Sequence, residues 1–193
     1  LHPVEVKHLG RPDALPDADG LEARLVTAIR AAEKDPGDVL VFLPGKAEIR
    51  RAARAVEDAL GADWEILELH GGLGLAEQGR VFRPGSRRRV ILSTNVAETS
   101  VTLPRIGVVI DSGLVRRTRY VGGRGYLMLG GVAMDSAEQR RGRAGRLGPG
   151  VCYRLWGSAA RLEARTPPEI HRESLVPLVL ATARCGHLVE DLR

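Results

Sequence analysis

Cysteine and long apolar runs are both scarce in this chain of 193 residues. Its two cysteines, Cys152 and Cys185, lie far apart and outside any metal-ligand spacing, which argues against a disulfide scaffold and a zinc site. No apolar run approaches the roughly 20 residues that cross a bilayer, and no basic and then apolar signal segment is present. The chain begins at Leu1 rather than at methionine. We therefore expect a piece of a longer protein of the reducing cytoplasm, without membrane contact.

A complete phosphate-binding loop is also missing. Gly45-Lys46 is followed by Ala47 rather than by a hydroxyl residue, and the glycines of 71–74 lack the third glycine of a dinucleotide fingerprint. No Asp-Glu pair follows a predicted core strand to hold magnesium, so we predict no metal ligands in this chain. The chain lacks the parts that bind a nucleoside triphosphate by itself. The absent fingerprint also argues against a small-molecule transferase.

Arginine, by contrast, is abundant. The net charge is +5, and all but three of the 29 basic residues are arginine. A guanidinium keeps its charge and presents a planar fork of donors that suits phosphate oxygens, so the bias favours a phosphate-rich partner. A bias in genomic base composition is the alternative. The arginines at 80, 83 and 87–89 are expected to form a solvated surface or to contact neighbouring domains, with nucleic-acid contact as the other reading.

The densest arginine segment is 136–146, which carries four arginines and is predicted to be helical. Gly142 and Gly145 remove side chains that would block an anion, and Arg143 and Arg146 are three residues apart, so they share one helical face. This pattern indicates a polyphosphate ligand. A solvated basic helix is the alternative, although two glycines inside such a helix would cost about 1 kcal/mol each.

Apolar periodicity predicts an α/β fold. The predicted strands are 4–9, 39–43, 64–69, 89–93, 106–110 and 151–155, and the helices between them are 21–32, 46–60, 75–82 and 136–146. Such alternation indicates a mainly parallel sheet with helices on both faces. Ligands of such sheets bind beyond the carboxyl ends of the strands, so the loops after Leu43, Ser93 and Ile110 are the candidate binding loops.

Two segments depart from this alternation. Residues 114–129 are predicted to form a protruding β-hairpin around a glycine-rich tip; its basic residues are Arg116, Arg117, Arg119 and Arg124. Its tyrosines, Tyr120 and Tyr126, either stack on bases or pack toward the core. Residues 166–193 are predicted to be a linker followed by a helix over 175–185, with Ser174 as its N-cap and Pro177 in its first turn. We therefore divide the chain into domains 1–165 and 166–193.

Several short segments, taken together and in order, carry a resemblance to a known family. They are Phe42-Leu-Pro-Gly45, Leu69-His-Gly-Gly72, 93–100 (STNVAETS), Asp111-Ser-Gly113 and 139–146 (QRRGRAGR). They resemble the motifs of the second RecA-like domain of DEAH-box helicases in superfamily 2, and most of all those of the bacterial HrpB type. Gly74, where the family often has proline, and the glycine-rich hairpin tip depart from the pattern. The resemblance implies a three-layer RecA-like domain followed by the helical start of a winged-helix module.

The resemblance also implies roles for individual residues. Gln139, Arg143 and Arg146 match family residues that face the γ-phosphate, with Arg146 as the arginine finger. Four further positions match the nucleotide side of the site: Phe82 as the aromatic that stacks on adenine, Thr99 and Ser100 in a nucleotide-sensing loop, and Gly142. The RNA contacts would be Thr94, Asn95 and, on the hairpin, Arg116 and Arg124. Simpler roles stay open: core packing for Phe82, and capping of a strand-terminal turn for Thr94 and Asn95.

The function implied is that of the second motor domain of an ATP-dependent RNA helicase. ATP with Mg²⁺ would be bound mainly by a first RecA-like domain, so this piece alone is expected to be catalytically silent. The expected partners are RNA, with DNA left open, and the N-terminal RecA-like domain and C-terminal domains of the same protein. A nucleic-acid-binding module that keeps the fold without catalysis is the alternative.

Overall fold

The computed structural model describes residues 2–83, 85–99, 102–121, 124–166 and 175–187. The chain forms two compact units: Leu1–Val115 with Leu129–Thr166, and Arg116–Met128 with Pro167–Arg193. The second unit thus groups most of the hairpin with the C-terminal segment. The division at residue 165, made from the sequence, stays a prediction.

The first unit is built on a parallel sheet of six strands. They are β1 Val4–His8, β2 Asp38–Phe42, β3 Trp64–Leu69, β4 Arg88–Ser93, β5 Ile106–Asp111 and β8 Gly150–Arg154. Their order across the sheet is β1-β8-β5-β2-β4-β3, and every neighbouring pair is parallel. The predicted α/β class and the predicted strands are confirmed, with ends that differ by a residue.

The helices of the first unit connect these strands. They are α1 Leu21–Ala31, α2 Lys46–Leu60, α3 Leu75–Arg80, α4 Val96–Thr99 and α5 Met134–Arg141, with 3-10 turns at Ala32–Lys34 and Gly61–Asp63. As predicted, α2 ends at Gly61, whose φ of 64° lies in the left-handed region that glycine adopts most readily. The second unit contains most of the hairpin, β6 Leu114–Val121 and β7 Arg124–Gly131, and helix α6 Val176–Arg184.

The core lies on both faces of the sheet, as the continuous apolar runs indicate. In β2, Val39 and Val41 pack with α1 and α2, whereas Leu40 and Phe42 face the opposite cluster, which includes Val81 and Ala97. All five residues of β2 are buried. A central strand covered on both faces has no polar side, which is why residues 39–42 of β2 are apolar without alternation. Among the described residues, no helix combines the length and apolar character of a membrane span.

The predicted helix over 136–146 is wrong in its extent. α5 begins at Met134 and ends at Arg141, and residues 142–145 form turns. The start of α5 is held by residues that are distant in sequence. Met134 N donates to Glu163 O at 2.8 Å, and Thr166 Oγ1 donates to Asp135 Oδ1 at 3.0 Å. Arg143 and Arg146 consequently do not share a helical face, and their proximity has another cause.

The expectation of a solvated or domain-contacting surface at 80–89 is wrong for two of its arginines. Arg89 is completely buried and donates to Asp38 Oδ2 from Nε at 2.8 Å and from Nη2 at 2.6 Å. Arg88 is half-buried and donates to four backbone carbonyls, among them Gly37 O at 2.7 Å. Both side chains hold the amino-terminal edge of the sheet together.

The C-terminal helix forms nearly where it was predicted. α6 spans Val176–Arg184 and has a proline in its first turn, as expected. Its N-cap position is Leu175, which provides no side-chain hydrogen bond. Ser174 itself lies outside the described residues.

Candidate functional site

The three candidate loops meet at the carboxyl edge of the sheet. In the strand register, Phe42 is opposite both Ser93 and Asp111, so β2, β4 and β5 end at one level. The loops are tied together there, because Leu43 N donates to Ser93 O at 2.8 Å and Ser112 N donates to Phe42 O at 3.2 Å. The parallel sheet thus brings the loops after β2, β4 and β5 together at one edge, as predicted from the alternation of strands and helices.

The segment after β4 turns directly into the short helix α4. Thr94 is half-buried and Asn95 is exposed, and their carbonyls accept hydrogen bonds from Ala97 N at 3.4 Å and Glu98 N at 2.9 Å. Both predicted RNA contacts therefore lie on the turn that starts α4. Thr99 is the last residue of that helix, and Ser100 lies outside the described residues.

Arg140 forms the buried centre of the site. It is 1% exposed, donates from Nη1 to Asp111 Oδ1 at 2.8 Å and from Nε to Glu98 Oε2 at 3.1 Å, and stacks 5.0 Å from the centroid of the Phe42 ring. Burial by itself lowers the pKa of Arg140, but the two carboxylates outweigh it and the pKa is raised. Arg140 therefore keeps its charge and joins α5 to the strand ends and to α4.

Arg143 is also buried, at 5% exposure, but its partners differ. Its Nε donates to the backbone carbonyl of Glu98 at 2.9 Å, and its Nη2 donates to the same oxygen. The pKa of Arg143 is lowered, first by burial and then by the nearby positive charge of Arg146. The negative charge of Glu98 raises the pKa, but by less than these two effects lower it. Arg143 is thus a guanidinium held on a carbonyl, with a second cation as its neighbour.

Arg146 is exposed and donates from Nη1 to Thr102 Oγ1 at 2.7 Å. It lines a narrow pocket together with Arg143, too tight to admit a water molecule, and the apolar remainder of that pocket is Leu40, Ala97, Leu103 and Ile106. Two neighbouring guanidinium groups repel each other, and an anion bound at the surface by the exposed fork of Arg146 would offset that repulsion through paired hydrogen bonds. The turn at 142–145 therefore brings the two arginines together without a shared helical face.

The remaining nucleotide-side predictions lie on other elements. Gln139 is exposed on α5. Phe82 is 42% exposed in the turn that follows α3, so full core packing, the simpler role, is excluded for it. The RNA contacts predicted on the hairpin, Arg116 and Arg124, are exposed on β6 and β7, and Tyr126 on β7 is 49% exposed rather than core-facing.

The two glycines of the arginine segment have different tasks. A Cβ on Gly145 would lie 2.6 Å from His2 O and 2.7 Å from Val4 Cγ2, so this glycine allows the N-terminal strand to approach. The prediction that Gly145 leaves room for an anion is therefore wrong. A Cβ on Gly142 would lie no closer than 3.4 Å to its neighbours, and the residue has helical dihedral angles, with φ −58°.

We expect Gly145→Ala to destabilise the first unit by about 1–3 kcal/mol, because the added methyl group overpacks against the backbone of residue 2. Gly142→Ala is the matched control and is expected to be neutral or slightly stabilising, because alanine fits its dihedral angles. Urea unfolding followed by circular dichroism measures both. Equal unfolding midpoints for the two variants would contradict this assignment.

Sequence reasoning missed the side chains that hold the site together. They are Glu98, Asp111, Ser136 and Arg140, and all four contribute to the buried hydrogen-bond network of the site. Asp111, which ends an otherwise apolar strand, was the available signal, because a buried carboxylate requires a partner. The chain alone did not show which of the four arginines in 136–146 that partner would be.

The class of protein follows from comparison with known families. The helicase conserved C-terminal domain family matches residues 21–148, so the chain belongs to that family. Its relatives are DEAH-box RNA helicases, which confirms the family resemblance that the motifs carry.

Particular relatives agree with this assignment. The ATP-dependent RNA helicase HrpA of Escherichia coli is 38% identical over 96% of this chain and 15% of HrpA, and the probable ATP-dependent RNA helicase DHX34 of Homo sapiens is 44% identical over 76% of this chain and 14% of DHX34. The crystal structure of the Escherichia coli DEAH/RHA helicase HrpB superposes with a TM-score of 0.83 and 33% identity, over 96% of this chain and 24% of that one. The fold is therefore RecA-like, and the chain spans a small part of its relatives' length.

Proposed function

We propose that this chain is the second motor domain of an ATP-dependent RNA helicase and that it supplies arginines to a triphosphate held by another domain. The observation that carries the proposal is the pair of neighbouring guanidinium groups, Arg143 and Arg146, which lie together beside α4 and the segment that leads into β5, in a chain that has no complete phosphate loop. Arginines without such a loop suit the half of a shared site that stabilises transition-state charge rather than the half that first binds the nucleotide.

Within this proposal Arg146 is the arginine finger. It is the exposed member of the pair, and its described hydrogen bond, to the neutral hydroxyl of Thr102, can be exchanged for charged phosphate oxygens. Arg143, fixed on the carbonyl of Glu98, and Gln139, exposed on the same segment, complete the γ-phosphate side. Gly142 would leave that side accessible, and the exposed ring of Phe82 would stack on adenine. Bound Mg²⁺ would be held mainly by the first RecA-like domain and would supply charge neutralisation at the phosphates.

The RNA side of the proposal uses the turn at Thr94 and Asn95. The turn follows a strand end and Asn95 is exposed, which supports the proposal that its polar groups contact a nucleic-acid backbone. Thr99 and Ser100, at the end of α4 and beyond, are proposed to sense the nucleotide. In the second unit, exposed Arg116 and Arg124 are proposed as additional phosphate contacts.

The proposal extends to the partners of the whole protein. They are RNA, with DNA as an open second substrate, together with an N-terminal RecA-like domain and C-terminal domains on the same chain. The cytoplasmic location expected from the sequence stays a prediction.

We expect the full-length protein to hydrolyse ATP with stimulation by RNA, and residues 1–193 alone to show no hydrolysis above the buffer rate. The physical reason is that this piece has no complete loop to orient the triphosphate. A phosphate-release assay on both proteins, with and without single-stranded RNA, checks this. RNA binding by the full-length protein without any hydrolysis would instead identify a non-catalytic binding module.

A further inference from the structure

Glu98 engages its neighbours through its backbone N–H, its carbonyl and its carboxylate. Its N–H donates to Asn95 O at 2.9 Å, at the turn proposed to contact RNA. Its carbonyl accepts from Arg143 Nε at 2.9 Å. Its carboxylate accepts from the Ser136 hydroxyl and from Arg140 Nε, the latter at 3.1 Å. One residue thus connects the RNA-side turn, helix α5 and an arginine of the pocket.

The carboxylate matters because α4 is only four residues long. A single helical turn is not stable by itself, so tertiary contacts must hold it in place. The Glu98 side chain supplies such contacts by joining α4 to Ser136 and Arg140, and Arg140 is itself fixed by Asp111 at 2.8 Å. The position of the Glu98 carbonyl, and with it the guanidinium of Arg143, therefore depends on a carboxylate that does not face the pocket.

We infer that Glu98 is a positioning residue for Arg143: its carboxylate anchors α4 to α5, so that its carbonyl holds the Arg143 guanidinium at the pocket and links it to the Thr94–Asn95 turn. The inference rests on the proposed function, since it assigns how one arginine of that site is placed. A misplacement of about 1 Å costs on the order of 10²-fold in turnover, so loss of the anchor should be measurable.

The test uses the full-length protein and the turnover number for ATP at saturating RNA. We expect Glu98→Ala to lower the turnover number by about 10²-fold, with a smaller change in the KM for ATP. In an Arg143→Ala background, Glu98→Ala should cause no further loss, because the residue acts through Arg143. Glu98→Gln keeps an oxygen for Arg140 and an amide donor for the Ser136 hydroxyl. Its turnover number should therefore be at least about tenfold higher than that of Glu98→Ala.

Two variants separate positioning from a general loss of folding. Glu138→Gln is the matched control, because Glu138 lies on α5 and pairs with Arg154 at 2.6 Å outside this network; its turnover number should stay within about twofold of the original. If Glu98→Ala fails to fold, Ser136→Ala replaces it, since this change removes one anchoring hydrogen bond and leaves Arg140 paired with Asp111. A several-fold loss that disappears in the Arg143→Ala background supports the inference, and an unchanged turnover number overturns it.

The outcomes also separate this inference from the proposed function. Normal turnover of Glu98→Ala, or equal fractional losses with and without Arg143, overturns the inference even when the unmodified protein is an RNA-stimulated ATPase. No hydrolysis by the unmodified full-length protein, or full activity of an Arg146→Ala variant, overturns the proposed function instead.

Discussion

Replacing Arg146 by alanine in the full-length protein is expected to reduce the RNA-stimulated turnover number for ATP by about 10³- to 10⁵-fold, the range measured for arginine fingers. Arg146 is the exposed cation of the pocket, and its hydrogen bond to Thr102 at 2.7 Å leaves the guanidinium near solvent and ready to change partner. Removing a group that contacts the developing charge only as the phosphoryl group transfers lowers the turnover number more than it changes binding.

Three further measurements test whether the loss is specific to the guanidinium of Arg146. Arg146→Lys keeps the charge but loses the planar fork, so we expect it to restore only part of the activity. Arg54→Ala removes an exposed arginine from α2 and serves as the matched control, with an expected change of less than about twofold. RNA affinity measured without nucleotide should be nearly the same for all three variants. An Arg146→Ala turnover number within tenfold of the original would remove this residue from the finger role.

Removing the Asp38 carboxylate is expected to destabilise the first unit by about 3–5 kcal/mol, the cost of breaking a buried ion pair. Asp38 and Arg89 are both completely inaccessible, and their closest atoms are 2.6 Å apart. In Asp38→Ala, the Arg89 guanidinium keeps its bonds to the carbonyls of Val81 and Arg83 but loses its only described counter-charge. Urea unfolding of the domain measures the loss.

A double variant tests whether the cost comes from the unpaired charge. Asp38→Leu combined with Arg89→Met removes both charges and should recover most of the lost stability, since apolar replacements of buried pairs are often neutral. Arg87→Ala is the control, because Arg87 is exposed and should change the free energy of unfolding by no more than about 0.5 kcal/mol. A double variant as unstable as Asp38→Ala would show that packing at this edge, rather than charge pairing, is what the residues provide.

Much of the fold was predictable because its signals are local. Runs such as 39–43 and 106–110 are apolar without alternation, and that pattern alone indicates strands buried on both faces. Gly61 marks the end of α2 for an equally local reason, its φ of 64°. The extent of α5 was not predictable in this way, since its first turn depends on hydrogen bonds to residues 163 and 166.

The site shows the same division. Its motifs, their order and the family they define are properties of the sequence, because each lies within a few consecutive residues. The tertiary structure, by contrast, decides which arginines are available to bind a ligand and which are paired inside the protein. Arg89 and Arg140 are buried against carboxylates that lie 51 and 29 residues away along the chain, whereas the described partner of Arg146 is the hydroxyl of Thr102. Identical guanidinium groups thus acquire different tasks, because burial requires a counter-charge and only the folded sheet brings the carboxylates to them.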